Sequence, residues 1–225
     1  MPPTPADGEL HQLRSGVLPA VSPVLEEAAQ LGFLGATPVR EQVDHALGFV
    51  FCAESDHTTA PQAVADLGSG GGLPGLVLAS CWRETMVTLI DSNERRTAFL
   101  QASVDAMFGT DRVFVVRARA EEFGRDDARR GTFDTVTARS FGPPAVTAEC
   151  AAALLSPGGI LIVSEPPEAE SSSRWPEAGL SELGLRPRTP IRFADRFNYQ
   201  TVEKSGETPD RYPRRVGIPS KRPLF

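Results

Sequence analysis

Three stretches of the chain hold residue types whose order and spacing could do chemistry. In "DLGSGGGLPG", residues 66 to 75, Asp66 is followed by Gly68, Gly70 and Gly72 at alternate positions, with Leu73 and Pro74 next. A backbone without Cβ atoms lets a ligand approach the peptide groups closely. Asp91 closes the apolar run "TMVTLID", and Ala120 and Glu121 follow the run "RVFVVRA". Arg139 and Phe141 stand together in "ARSFG". Carboxylates beside bare backbone, next to a guanidinium and a flat ring, are the groups that hold a nucleoside and its hydroxyls.

Two nucleoside cofactors compete for the place. From Gly70 to Gly75 the chain fits GxGxxG, and Asp91 lies about 20 residues on, as a nicotinamide dinucleotide requires. The other fit is S-adenosylmethionine: an acid at a strand end, Asp66, and then Gly68, Gly70 and Gly72. A dinucleotide carries a pyrophosphate that the Asp66 carboxylate would repel, whereas the methionine end of the methyl donor carries an ammonium it would attract. The sign of the charge favours the methyl donor. Asp91 would then accept from the ribose hydroxyls, and Ala120 and Glu121 would hold the adenine. A glycine-rich turn can also serve only to let strand and helix pack closely.

The elements that must position these residues can be read from the apolar pattern. "VSPVLEEAAQLGFLG" and "TPVREQVDHALGFVFCA" are expected as amphipathic helices, with Pro23 and Pro38 near their starts and a loose leader over residues 1 to 16. From residue 61 short apolar runs alternate with helical stretches. "AVADL", "TMVTLID", "RVFVVRA", "FDTVTARS" and "ILIVSE" read as strands; "IRFAD" and "YQTVEK" read as a final antiparallel pair. Such alternation implies a doubly wound, Rossmann-like α/β fold: a mostly parallel, seven-stranded sheet with helices on both faces. The expected division is a helical extension over 1–60 and a catalytic domain over 61–225.

Other chemistries are excluded. No histidine follows His57, so Ser140 in "ARSFG" has no triad partner. No GK[ST] follows a glycine loop, which removes a P-loop hydrolase. Three separated cysteines and three early histidines give no metal-ligand spacing, so no metal is expected. No apolar run reaches a membrane span and no signal segment is visible; the chain is expected to be cytoplasmic, without membrane contact, and a monomer. The net charge of −6 argues against broad nucleic-acid binding. Against that balance, residues 204 to 225 hold six basic residues (Lys204, Arg211, Arg214, Arg215, Lys221, Arg222) and two acidic ones (Glu207, Asp210). They fit a solvated tail or a phosphate-contacting segment.

The chain resembles the ribosomal small subunit methyltransferase G family through "DLGSGGGLPGLVLA", "LIDSNERRTAFL", "RAEE", "FDTVTARSF", "LLSPGGILIV" and "YPRRVGIPSKRPL". The resemblance implies a class I S-adenosylmethionine-dependent methyltransferase acting on guanine N7 in 16S rRNA, with the small ribosomal subunit as partner. It further implies that Gly68 and Leu73 line the donor, that Ala120 and Glu121 hold its adenosine, and that Arg139 sits between donor and acceptor. With Phe141, Arg139 is the expected wall for the acceptor base. Glu165 stands where the family usually carries a lysine, and His45 matches a family histidine. Another acceptor, or a non-catalytic module binding donor or RNA, are the rival functions.

Overall fold

Valine, isoleucine and leucine runs of five or six residues are long enough to cross a sheet once and too apolar to face water, so they pair as parallel strands covered on both sides. The computed structural model describes residues 7–56, 60–109, 111–166 and 174–225. Its strands are β1 (Ala63–Leu67), β2 (Met86–Asp91), β3 (Val113–Arg117), β4 (Phe133–Ala138), β5 (Leu155–Glu165), β6 (Leu185–Pro187), β7 (Ile191–Phe193) and β8 (Phe197–Lys204). They form one sheet in the order β3-β2-β1-β4-β5-β8-β6, parallel through β5. Strand β8 runs antiparallel to β5 and pairs on its far side with β6 near Lys204 and with β7 near Phe197. Two short strands thus share one edge position, and the sheet is seven positions wide.

Alternation along the strands builds two cores. Val64, Leu89, Ile160 and Ile162 face one side with Tyr199; Ala65, Leu67, Ile90, Leu161 and Val202 face the other. The first side is covered by α1 (Asp7–Gln30), α2 (Val39–Asp56), α3 (Gly75–Cys81) and α4 (Glu94–Met107). The second is covered by α5 (Ala120–Arg125), α6 (Pro144–Ala152) and α7 (Glu177–Ser181). Leu10, Val17, Val21, Leu25 and Ala28 make a buried stripe along α1. That stripe holds helix from Asp7, so the leader expected through residue 16 is helical over its described part, and Pro23 lies inside the helix with Pro19. Helix α6 ends at Ala152 rather than at the glycines, because "LSPGG" begins β5 across a register shift between Phe133 and Thr135. Among the described residues no helix is long and apolar enough to cross a membrane.

The order reverses between β1, which leads to β2 and β3, and β4, which leads to β5. A crevice therefore opens at the carboxyl ends of β1 and β4, where an open α/β sheet holds its ligand.

Candidate functional site

Asp66 and Thr137 are register partners at the ends of β1 and β4. Asp66 is fully buried: Oδ1 accepts from Thr137 Oγ1 at 2.8 Å and Oδ2 accepts from the Gly75 amide at 3.1 Å. Burial raises its pKa from 3.8 to about 6, against the lowering effect of these hydrogen bonds and of Arg139. The carboxylate thus lies beneath the glycine loop and pins it to β4 and to the start of α3. The sequence expects Asp66 to attract the donor's ammonium; in the fold each of its oxygens accepts one hydrogen bond, from Thr137 and from the Gly75 amide. Gly75 fits because a Cβ there would come within 2.8 Å of Asp66 Oδ2.

The loop uses its own amides. Gly68 and Ser69 N–H both donate to Ile90 O, at 2.8 and 3.0 Å, Gly70 N–H donates to Asp91 Oδ2 at 3.0 Å, and Gly72 N–H donates to Ser69 O at 2.7 Å. In the first turn of α3, Leu76 N–H bonds to Gly72 O, and Val77 N–H to Pro74 O. A diphosphate needs such amides free, so their internal use argues against a dinucleotide. Gly68, Gly70 and Gly72 all take left-handed φ values of 70°, 54° and 102°, a region open to glycine.

Above the loop lie two compartments that meet at Gly68, Arg96 and Ser140. The first, about 270 Å³, is lined by Gly68, Asp91, Ala118, Ala120, Glu121 and Phe141, with Val146 and Cys150 along α6. The second, about 180 Å³, lies under the turn joining α1 to α2 and is lined by Gly70, Leu73, Gln42 and Arg139. Asp66 and Gly72 line neither compartment. Ser140 divides the remaining pair with a left-handed φ of 53°, a strained backbone for a residue with a Cβ. Phe141 lies on one side of this turn, close enough to Gly68 that a Cβ there would meet its ring at 2.8 Å, and Arg139 lies on the other.

Arg139 is a half-buried group on the crevice wall. Its Nη2 donates to Gln42 Oε1 at 3.1 Å, while its buried Nη1 has no partner. Desolvation lowers its pKa, an effect opposed by Tyr199 and Asp66. His45 stacks on Phe197 at 4.8 Å, and burial, then Arg139, then Arg196 lower its pKa from 6.5 to about 4. Burial, reinforced by the positive charges of Arg139 and Arg196, keeps the imidazole neutral. Asp91 spends Oδ1 on the Asn93 amide at 2.8 Å and Oδ2 on Gly70, and it keeps lone pairs toward the first compartment.

Two expectations about charge change in the fold. The C-terminal segment is anchored: Arg214 grips the fully buried Glu149 through Nη2 at 2.6 Å and Nε at 2.9 Å, and its amide donates to the same carboxylate at 2.8 Å. Arg214 is therefore an internal group, while Arg215, Lys221 and Arg222 face outward. Glu165 also turns inward, held by Trp175 Nε1 at 3.1 Å and Arg174 at 2.8 Å. Sequence reasoning missed Arg96, Ser140, Gln42 and Ser220 as lining residues. Arg96 has a visible signal, since it lies in the first turn of the helix after Asp91; Gln42 reaches Arg139 from 97 residues before it, and Ser220 joins Ala120 in the first compartment from 100 residues after it, separations no local pattern reports. Among the described residues no group of three His, Cys, Asp or Glu could hold a metal ion.

The family described as rRNA small subunit methyltransferase G (GidB) matches residues 31–173. A relative from Deinococcus deserti, "Ribosomal RNA small subunit methyltransferase G", is 32% identical over 91% of this chain and 91% of its own length. A protein of the same name from Rubrobacter xylanophilus is 36% identical over 81% of this chain and 72% of its own. Among solved structures, an O-methyltransferase from Bacillus cereus in complex with SAH superposes with a TM-score of 0.59 at 14% identity, covering 82% of this chain and 90% of that one. The cofactor-bound protein Rv0187 from MTB superposes with a TM-score of 0.60 at 16% identity, covering 92% and 100%. These two likenesses concern the fold.

Proposed function

This chain belongs to the rRNA small subunit methyltransferase G family, and from that premise we propose that its crevice binds S-adenosylmethionine and directs the methyl group to N7 of a guanine in 16S rRNA. The observation that carries this is the pairing of a glycine loop in which the Gly68, Ser69, Gly70 and Gly72 amides are already used with one buried, unpartnered guanidinium nitrogen on Arg139. Such a site suits a ligand with a single carboxylate and not a diphosphate. Asp91 would hold the ribose hydroxyls, and Ala118, Ala120 and Val146 would pack the adenine. Gly70 and Leu73 would line the methionyl end, and Arg139 Nη1 would meet its carboxylate.

Bound S-adenosylmethionine supplies an electrophilic methyl group. Guanine N7 offers an in-plane lone pair and carries no proton, so no residue has to act as a base. What the chain contributes is orientation, an effect that reaches roughly 7–11 kcal/mol. Phe141 and Arg139, on the two sides of the strained Ser140 turn, would flank an extruded base. Arg95, Arg96, Arg119 and Arg215 would attract the surrounding phosphates, which lets an acidic chain carry a local basic rim. The helices before residue 61 roof the second compartment, and the enzyme works as a cytoplasmic monomer without metal.

Incubation with methyl-labelled donor and either small ribosomal subunits or a metabolite pool tests the assignment. Label at guanine N7 of the RNA is expected; label in a small molecule, or none, contradicts it. Thermal shift with S-adenosylmethionine should raise the melting temperature, and a nicotinamide dinucleotide should leave it unchanged.

A further inference from the structure

Residues 211–225 cross the gap between α5 and α6, the two helices that frame the first compartment. They are held at several points. Arg130 Nη1 donates to Tyr212 O at 2.7 Å, Arg125 Nη1 donates to Pro213 O at 3.3 Å, and Arg214 is locked onto Glu149 of α6. Arg214 Nη2 also donates to Arg222 O at 2.8 Å, which folds the segment back on itself. Beyond Arg214 the chain turns at Gly217, φ 76°, into the short helix α8 (Ile218–Lys221). There the Gly217 amide donates to Glu121 Oε1 at 3.0 Å, and Ser220 lines the compartment beside Ala120 and Pro143.

We propose that this strap is a constituent of the donor site: Ser220 closes its nucleoside end, and Glu121 serves the site by holding the strap. The proposal rests on the donor occupying the first compartment. Glu121 is 3% exposed, one of its oxygens is taken by the Gly217 amide, and the other faces Arg119 Nε at 3.6 Å. It is a positioning residue whose acceptor oxygen matters more than its charge. The strap also has two unlike faces. Tyr212, Pro213 and Pro219 are buried against the domain, whereas Arg211, Arg215, Lys221 and Arg222 are exposed. One short segment thereby joins the wall of the nucleoside pocket to a basic outer surface.

Hydrogen exchange on the full chain, with and without saturating S-adenosylmethionine, tests this directly. Exchange should slow both in residues 66–72 and in residues 214–222. Slowing in 66–72 alone would overturn the strap's part while leaving the donor site in place; slowing in neither would remove the donor site and the strap with it. Donor affinity by calorimetry gives a second readout. Ser220→Trp, at an exposed position, should weaken the donor at least tenfold with the melting temperature of the free protein unchanged; unchanged donor affinity would overturn the strap's part. Glu121→Gln, which keeps an acceptor for Gly217, should stay within about threefold of the parent, and Glu121→Ala should lose tenfold or more. Equal loss in the Gln and Ala variants would show the charge itself at work and overturn the positioning role.

Discussion

Two arginines sit in half-buried surroundings and end differently. In the strap, Arg214 meets Glu149 through three side-chain contacts and a backbone amide, and the Nη2 that bonds Glu149 also donates to the Arg222 carbonyl. On the crevice wall, Arg139 satisfies one nitrogen on Gln42 and leaves another buried without a partner. A buried donor with no acceptor costs about 1–3 kcal/mol, so the fold tolerates at Arg139 a deficit that it removes at Arg214. The difference separates an arginine that holds the chain together from one kept ready for an anion.

The largest effects should split the pair in opposite ways. Arg214→Ala leaves Glu149 charged and buried, and the stability measured by urea unfolding should fall by about 3–5 kcal/mol. Arg139→Ala removes an unsatisfied group, so stability should change by less than about 1 kcal/mol, while turnover falls on the order of 100-fold through lost orientation. If the two variants lose stability equally, the distinction between them is broken.

Beneath and behind the wall, Asp66 and His45 sharpen the comparison through pH. Asp66 binds its proton more tightly folded than unfolded, so its contribution to stability falls as pH rises from about 4 to about 6. His45 has a lowered folded pKa, so its contribution is present above about 6.5 and lost as pH falls toward about 4. The two slopes oppose each other over one window and should largely cancel in the parent. Asp66→Asn should expose the His45 slope, with stability rising by about 3 kcal/mol between pH 4 and 6.5. His45→Phe should expose the reverse slope. Unfolding midpoints measured across that range decide it, and identical profiles for both variants would contradict these assignments.

The smallest effect belongs to the outer face of the strap. Arg215→Ala should leave folding within about 0.5 kcal/mol and weaken RNA binding modestly, lowering the slope of log affinity against log salt by nearly one. An unchanged slope would take Arg215 off the RNA surface.

Much of the scaffold was legible from local pattern. "AVADL" coincides with β1, and Asp91, Ala120 and Phe141 line the crevice because strand ends in a doubly wound sheet converge there. The illegible parts depend on contacts between distant segments. The place of Asp66 beneath the loop depends on Thr137, 71 residues away, which no local pattern reports. The tail looked solvated because prolines and arginines give no apolar period, yet Glu149 turns one arginine inward from 65 residues off. Glu165 looked like a reversed surface charge until Trp175 and Arg174 closed over it. The β6 strand, three residues long, is too short for any period to register.

The most direct test of the account is a crystal structure of the protein with S-adenosylhomocysteine. The nucleoside should lie against Asp91 and Ala120, and the methionyl carboxylate should come within hydrogen-bond distance of Arg139 Nη1. A ligand bound elsewhere, or one that occupies the crevice while that nitrogen stays unpartnered, would contradict it.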